Sequence, residues 1–79
     1  MPSSQELFDQ TVKIIGLSMI IGPGVVERAL AGVGVKRPEA AAKHYVAILP
    51  VLEERLTVYM GKEEAATRVA KLRSMIHGR

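Results

Sequence analysis

The chain has 79 residues, a formal net charge of +3 and no cysteine. A chain of this length forms one domain at most, and folding at this size removes only about 60% of the surface that the unfolded chain exposes. Disulfides and thiolate metal sites are excluded, so packing within the chain or against a partner must supply the stability. We expect residues 1–79 to form a single helical domain, for the following reasons.

The composition favours helices. Hydrophobic residues make up 48% of the chain but aromatic residues only 4%, so the core is filled by Val, Ile, Leu and Ala. No run alternates apolar and polar residues over several positions, and neither Asn-Gly nor Asp-Gly is present to form a hairpin turn. The sequence therefore predicts an all-α fold, a compact bundle of four to five short helices.

An uncharged run extends from Ile14 to Val26. It is too short to span a bilayer, which needs about 20 apolar residues, and a Gly-Pro-Gly turn interrupts it. Acidic residues precede the run and no small-residue cleavage site ends it, in contrast to a signal peptide. We expect no membrane span and a cytoplasmic location.

Helix 1 is predicted to begin at Ser3 or Ser4, either of which can cap it, and to end at Ile21. Its buried stripe recurs at three- and four-residue spacing and comprises Leu7, Phe8, Thr11, Val12, Ile14, Ile15, Ser18 and Met19. With Leu17, Ile20 and Ile21 added, the second half of the helix is apolar over most of its circumference. Such a helix either passes through the middle of the bundle or meets another chain.

Glycine and proline mark the predicted limits of helix 2. Gly22 is expected to take the left-handed conformation that ends helix 1, Pro23 suits the next first turn, and Gly24 allows the two helices to approach closely. Gly32 and Gly34 are expected to end helix 2. Its apolar side comprises Val25, Val26, Ala29, Leu30 and Val33. These glycines match neither the nucleotide nor the dinucleotide phosphate-binding pattern.

Helix 3 is predicted to begin at Pro38, before Glu39 and three alanines. Pro50 cannot donate to the carbonyl of Val46, so the helix either stops near Ile48 or kinks. Apolar positions keep helical phase across this proline. We favour two short helices, with one kinked helix as the alternative.

Helix 4 follows Gly61 and begins with Lys62-Glu63-Glu64. Its predicted apolar side comprises Ala65, Val69, Leu72 and Ile76. Acidic residues lead and basic residues trail, as the helix dipole favours. Residues 77–79 are expected to fray.

No set of residues has the spacing of a catalytic or metal site. The only histidines are His44 and His77, and the only aspartate is Asp9. Adjacent glutamates, such as Glu53 and Glu54, point about 100° apart on a helix and do not converge on one atom. We expect no enzymatic activity, no cofactor and no metal, with His44 exposed on the outer face of helix 3.

Protein binding is the function that remains. The string from Ile21 to Leu30 resembles small helical regulatory domains appended to bacterial signalling proteins, and the resemblance covers this string alone. We predict a non-enzymatic adaptor or regulatory module that binds a protein partner, or a second copy as a homodimer, through an apolar face of helices 1 and 2. The predicted contact residues are Leu17, Ile20, Ile21, Val25 and Val26. The predicted charged rim is Arg68, Lys71 and Arg73, which would affect association rate more than affinity.

Nucleic-acid binding is the alternative. Helix 2, a turn at Gly34 and a short helix from Pro38 would form a loose helix-turn-helix, and the basic second half of the chain supplies cations. The residues expected to hold phosphates are Lys36, Arg37 and Lys43. The predicted recognition helix, however, has Glu39 and three alanines at positions where contacts to base edges use Arg, Asn, Gln or Ser.

Overall fold

The computed structural model describes residues 4–77, and these residues contain four α-helices and no strand. The helices are α1 (Ser4–Ile15), α2 (Gly22–Gly32), α3 (Ala42–Met60) and α4 (Lys62–His77), with a short 3-10 turn at Arg37–Glu39. The predicted all-α fold is confirmed. Ser3, expected to cap helix 1, and residues 78–79, expected to fray, lie outside the described residues. His77 belongs to α4.

The core lies between a hairpin of α3 and α4 and the two shorter helices. The helices α3 and α4 form the most extensive pair, α1 packs mainly on α4, and α2 packs mainly on α3. The largest fully enclosed side chains are Tyr45, Ile15, Leu30, Ile48, Leu49, Leu52, Leu56 and Leu72. The predicted apolar side of α4 is confirmed in full, because all four of its residues are buried. Gly61, with φ of +87°, separates the hairpin helices as expected.

The first helix ends at Ile15, not at Ile21 as the apolar periodicity predicted. Gly16 has φ of +71° and takes the left-handed conformation that was expected at Gly22. Gly22 instead begins α2, followed by Pro23 in the first turn as predicted. Residues 16–21 therefore leave the helix, and we call them the connecting segment.

The close approach between α1 and α2 occurs at Gly22, not at Gly24. A Cβ atom on Gly22 would lie 3.2 Å from Cγ1 of Val12, whereas nothing lies within 4 Å of a Cβ on Gly24. The expectation for Gly24 was wrong because Gly22, in the first turn of α2, is the residue that packs against Val12 of α1. At the other end, α2 stops at Gly32 and Gly34 has φ of +78°, as predicted.

A turn built on Ser18 shapes the connecting segment. The hydroxyl oxygen of Ser18 accepts a hydrogen bond from the N–H of Ile21 (3.1 Å), and its carbonyl accepts one from the N–H of Gly22 (2.8 Å). A serine oxygen bonded to the N–H three residues later is the arrangement that caps helix starts. The two residues between these bonds, Met19 and Ile20, are thereby held at the tip of the turn.

The predicted start of helix 3 at Pro38 was wrong, and so was the favoured break at Pro50; one helix across Pro50, the alternative, is what the structure has. Pro38 lies in the 3-10 turn and α3 begins at Ala42, where Nδ1 of the half-buried His44 accepts a hydrogen bond from the N–H of Ala41 (2.9 Å). Pro50 lies inside α3, which continues from Ala42 to Met60. Buried residues on both sides of Pro50, including Leu49 and Leu52, share one face against the core, so packing offsets the hydrogen bond that the proline removes.

Candidate protein-binding surface

Two neighbouring apolar side chains project from the tip of the connecting segment. Met19 is 81% exposed and Ile20 is 91% exposed, and the next residue, Ile21, is also exposed. They are exposed because Gly16 ends α1 before the apolar run ends, which carries these residues out of the helix that would have buried some of them. A projection of this composition is unusual beside a filled core.

A hollow of about 470 Å³ lies on one side of this projection, against α1. We call it the α1 hollow. Its apolar wall consists of the side chains of Phe8, Val12, Leu17, Met19 and Pro23. Asp9, Lys13 and Gly16 complete the lining. The hollow is therefore an apolar depression that borders on one acidic and one basic residue of α1.

A second, smaller hollow lies on the other side, between the connecting segment, α2 and the end of α3. Ile20, Ile21, Gly24, Val25, Arg28 and Tyr59 line it. Tyr59 is 51% exposed, because it stands in the last turn of α3 where the core ends. Met19 borders the α1 hollow and Ile20 borders this second hollow, so the projection separates two depressions.

The structure places the five predicted contact residues at different depths. Ile20 and Ile21 are exposed, and the half-buried Leu17 lines the α1 hollow. Val25 is buried and reaches only the floor of the second hollow. Val26 is fully enclosed, so its prediction as a contact residue was wrong: α2 directs it into the core of its own chain.

Met19 and Tyr59 were missed as surface residues. Helical periodicity assigned Met19 to the buried stripe of helix 1, and Tyr59 is in helical phase with the buried residues before it in helix 3. The signal that could have placed Met19 outside is Gly16, a residue able to end α1. The signal for Tyr59 is its position two residues before Gly61, since the last turn of a helix often extends past the core.

The three residues predicted as a charged rim do not form one strip. Arg68 is engaged within the chain, where Nη1 donates to the carbonyl oxygen of Ile14 (3.2 Å) and Nε donates to Oε2 of Glu64 (3.0 Å). Arg73 lines a hollow between α3 and α4. Lys71 is exposed on α4.

The three residues predicted to hold phosphates also differ in their surroundings. Lys36 and Lys43 are exposed, but the guanidinium of Arg37 lies 4.3 Å from the ring centroid of Phe8 and pairs with Glu27 (3.2 Å). The predicted short helix at Pro38 does not form, and residues 33–41 separate α2 from α3. The nucleic-acid alternative therefore lacks the helix-turn-helix geometry on which it was based, because such a turn spans three to four residues.

Tyr45 is the one buried side chain in residues 4–77 whose polar atom has no hydrogen-bond partner. The side chain is almost fully enclosed by the core. Burial raises the pKa of Tyr45 to about 12; Arg37 opposes this shift and Asp9 adds to it. The hydroxyl reaches neither hollow of the candidate surface, so it takes no part in the site.

Residues 4–77 contain neither a metal-binding cluster nor a membrane-spanning helix beside the apolar surface. Within residues 4–77, no group of three or more His, Asp or Glu side chains is placed to hold a metal ion. No helix of this part of the chain is long and apolar enough to cross a membrane.

Comparison with known protein families, curated protein sequences and solved structures finds no match to this chain.

Proposed function

We propose that this chain is a non-enzymatic protein-binding module whose contact surface is the connecting segment with the hollow on either side of it. The observation that carries the proposal is the exposure of Met19 and Ile20 at 81% and 91%. Their apolar character contributes almost nothing to the fold of the isolated chain. A partner that covers them would gain about 1.5–3 kcal/mol for each side chain that becomes fully buried.

Clustering supports this function more than exposure alone does. Single exposed apolar residues are normal on protein surfaces. Here Met19, Ile20, Ile21 and Tyr59 surround or border two depressions, and contiguous apolar surface of this kind marks contact sites. Val58 is as exposed as Met19 but lines neither of these depressions; it borders a separate one with Val51 and two charged residues, Glu54 and Arg55. The exposed apolar side chains of the candidate surface are therefore clustered at one place on the molecule, beside two depressions.

The connecting segment is held at both ends before any partner binds. Ser18 closes the turn at the start of α2, and Arg68 holds the end of α1 through the carbonyl of Ile14. A segment that is ordered in advance loses less conformational freedom on binding. Met19 and Ile20 thus offer a preformed projection.

Site-specific photo-cross-linking in cells that express the chain tests the proposal. A photoreactive amino acid replaces Ile20 in one variant and Ala66, an exposed residue of α4, in a control variant. We expect a discrete protein adduct from position 20 and none of that mass from position 66. The absence of any adduct specific to position 20 would contradict the proposed function.

A further inference from the structure

The connecting segment carries a projection and a complementary depression side by side. Ile20 stands at the tip of the turn, and the α1 hollow opens beside Met19. The α1 hollow is an open depression of about 470 Å³, which is large enough to accept an isoleucine side chain.

Such a pair on one surface is self-complementary under a two-fold axis. When two copies face each other, the projection of each enters the hollow of the other, and both contacts form in one step. Because the two contacts are equivalent, the arrangement closes at two chains. A partner of different sequence forms both contacts only if it carries a matching projection and a matching hollow of its own.

The charges beside the α1 hollow follow the same symmetry. Asp9 and Lys13 stand four residues apart on α1, with opposite charges, and both line the hollow. A two-fold axis that runs perpendicular to α1 and passes between these two residues places Asp9 of each copy opposite Lys13 of the other. A partner surface of a single charge sign would attract one of these residues and repel the other.

We propose that the occupant of this surface is a second copy of the chain, with Ile20 of each copy in the α1 hollow of the other and Asp9 facing Lys13 across the two-fold axis. The proposal rests on the proposed function of the connecting segment and names its partner. The apolar contact supplies most of the affinity, and the two charge pairs at its edge fix the register.

Sedimentation equilibrium from low micromolar to several hundred micromolar concentration tests the dimer. We expect the wild-type chain to approach twice its monomer mass. Ile20→Glu should weaken the dimer by about 100-fold or more, because it would bury an unpaired carboxylate. Val58→Glu is the matched control, since Val58 is 83% exposed and lines neither hollow, and it should dimerise as the wild type does.

Charge exchange tests the register. Asp9→Lys and Lys13→Glu each place like charges opposite one another, so each variant alone should dimerise about tenfold or more weakly than the wild type. An equimolar mixture of the two variants should recover the dimer. In the mixed dimer the two lysines of the Asp9→Lys chain face the two carboxylates of the Lys13→Glu chain. Circular dichroism confirms that both variants are folded. A mixture no more associated than its components would overturn this register.

A wild-type chain that stays monomeric at several hundred micromolar overturns the second copy as partner. This outcome is distinct from failure of the proposed function. In that case a cross-link from position 20 to a protein of different mass would still uphold the binding surface. No adduct at all, with a monomeric chain, would overturn both proposals.

Discussion

The guanidinium of Arg68 lies against Gly16, so that a Cβ atom on Gly16 would be 3.0 Å from Nη1 of Arg68. The same nitrogen donates to the carbonyl of Ile14, one of the last carbonyls of α1, which have no partner within the helix. Glu64, one turn before Arg68 on α4, holds the guanidinium in place. Arg68 thereby ties α4 to the end of α1, where the connecting segment begins.

Arg68→Ala should lower the free energy of unfolding by about 1.5 kcal/mol, the lower end of the range for a hydrogen bond from a charged donor, because the Arg68 side chain is 33% exposed. Urea denaturation measures the change. Lys71→Ala is the control, because Lys71 is an exposed cation of the same helix and its loss should cost no more than about 0.5 kcal/mol. Equal effects of the two substitutions would contradict the role assigned to Arg68.

Gly16→Ala should destabilise the fold, whereas Gly24→Ala should stabilise it. At Gly16 the positive φ costs an alanine about 1–2 kcal/mol, and the new methyl group displaces Arg68. At Gly24 the backbone is helical and the added methyl meets open space, so the gain in helix propensity is about 0.5–1 kcal/mol. Thermal and urea unfolding of the two variants check the opposite signs; a loss at both positions would refute the account of Gly24.

Tyr45→Phe should leave stability at neutral pH unchanged or raise it by about 1 kcal/mol. The substitution removes a buried hydroxyl that has no hydrogen-bond partner among residues 4–77 and keeps the ring that fills the core. Tyr59→Phe, on the surface, is the matched control. A loss of more than about 1 kcal/mol from Tyr45→Phe would show that the hydroxyl makes a stabilising bond.

The raised pKa of Tyr45 also predicts an alkaline loss of stability. Between pH 10.0, its ordinary pKa, and about 12, the unfolded chain releases the phenolic proton while the folded chain retains it. The unfolded state then binds fewer protons, so stability falls as pH rises through this window. Tyr45→Phe should reduce the slope of this fall relative to the wild type. Identical slopes for wild type and Tyr45→Phe would contradict the prediction.

The fold could be predicted where local signals and packing agree. The apolar side of α4 and the end of the hairpin at Gly61 follow from side-chain periodicity and one glycine. Periodicity misplaced the end of α1, because the apolar run continues past Gly16. Gly16 itself is the local signal, and the supporting contact comes from Arg68, 54 residues from Ile14. Pro50 shows the opposite case, in which core packing prevails over a local helix breaker.

The candidate surface was predicted in part. Composition located the excess of apolar side chains at Ile20 and Ile21, but it could not separate these exposed residues from Val26, which follows in the same run and is enclosed. The difference depends on the backbone of the connecting segment, which no periodic pattern describes. The α1 hollow could not be predicted from the sequence either, because its lining combines Phe8 of α1 with Pro23 of α2, which the packing of the two helices brings together.

Methyl NMR of the isotope-labelled wild-type chain over a dilution series tests the central claim most directly. The claim is that the projection of the connecting segment is the surface at which the chain binds its partner, a second copy. We predict that the methyl signals of Met19 and Ile20 shift with concentration, while those of the buried Ile48 and Ile76 stay constant. Signals of Met19 and Ile20 that do not move while the chain associates through another surface, or do not move at any concentration, would contradict it.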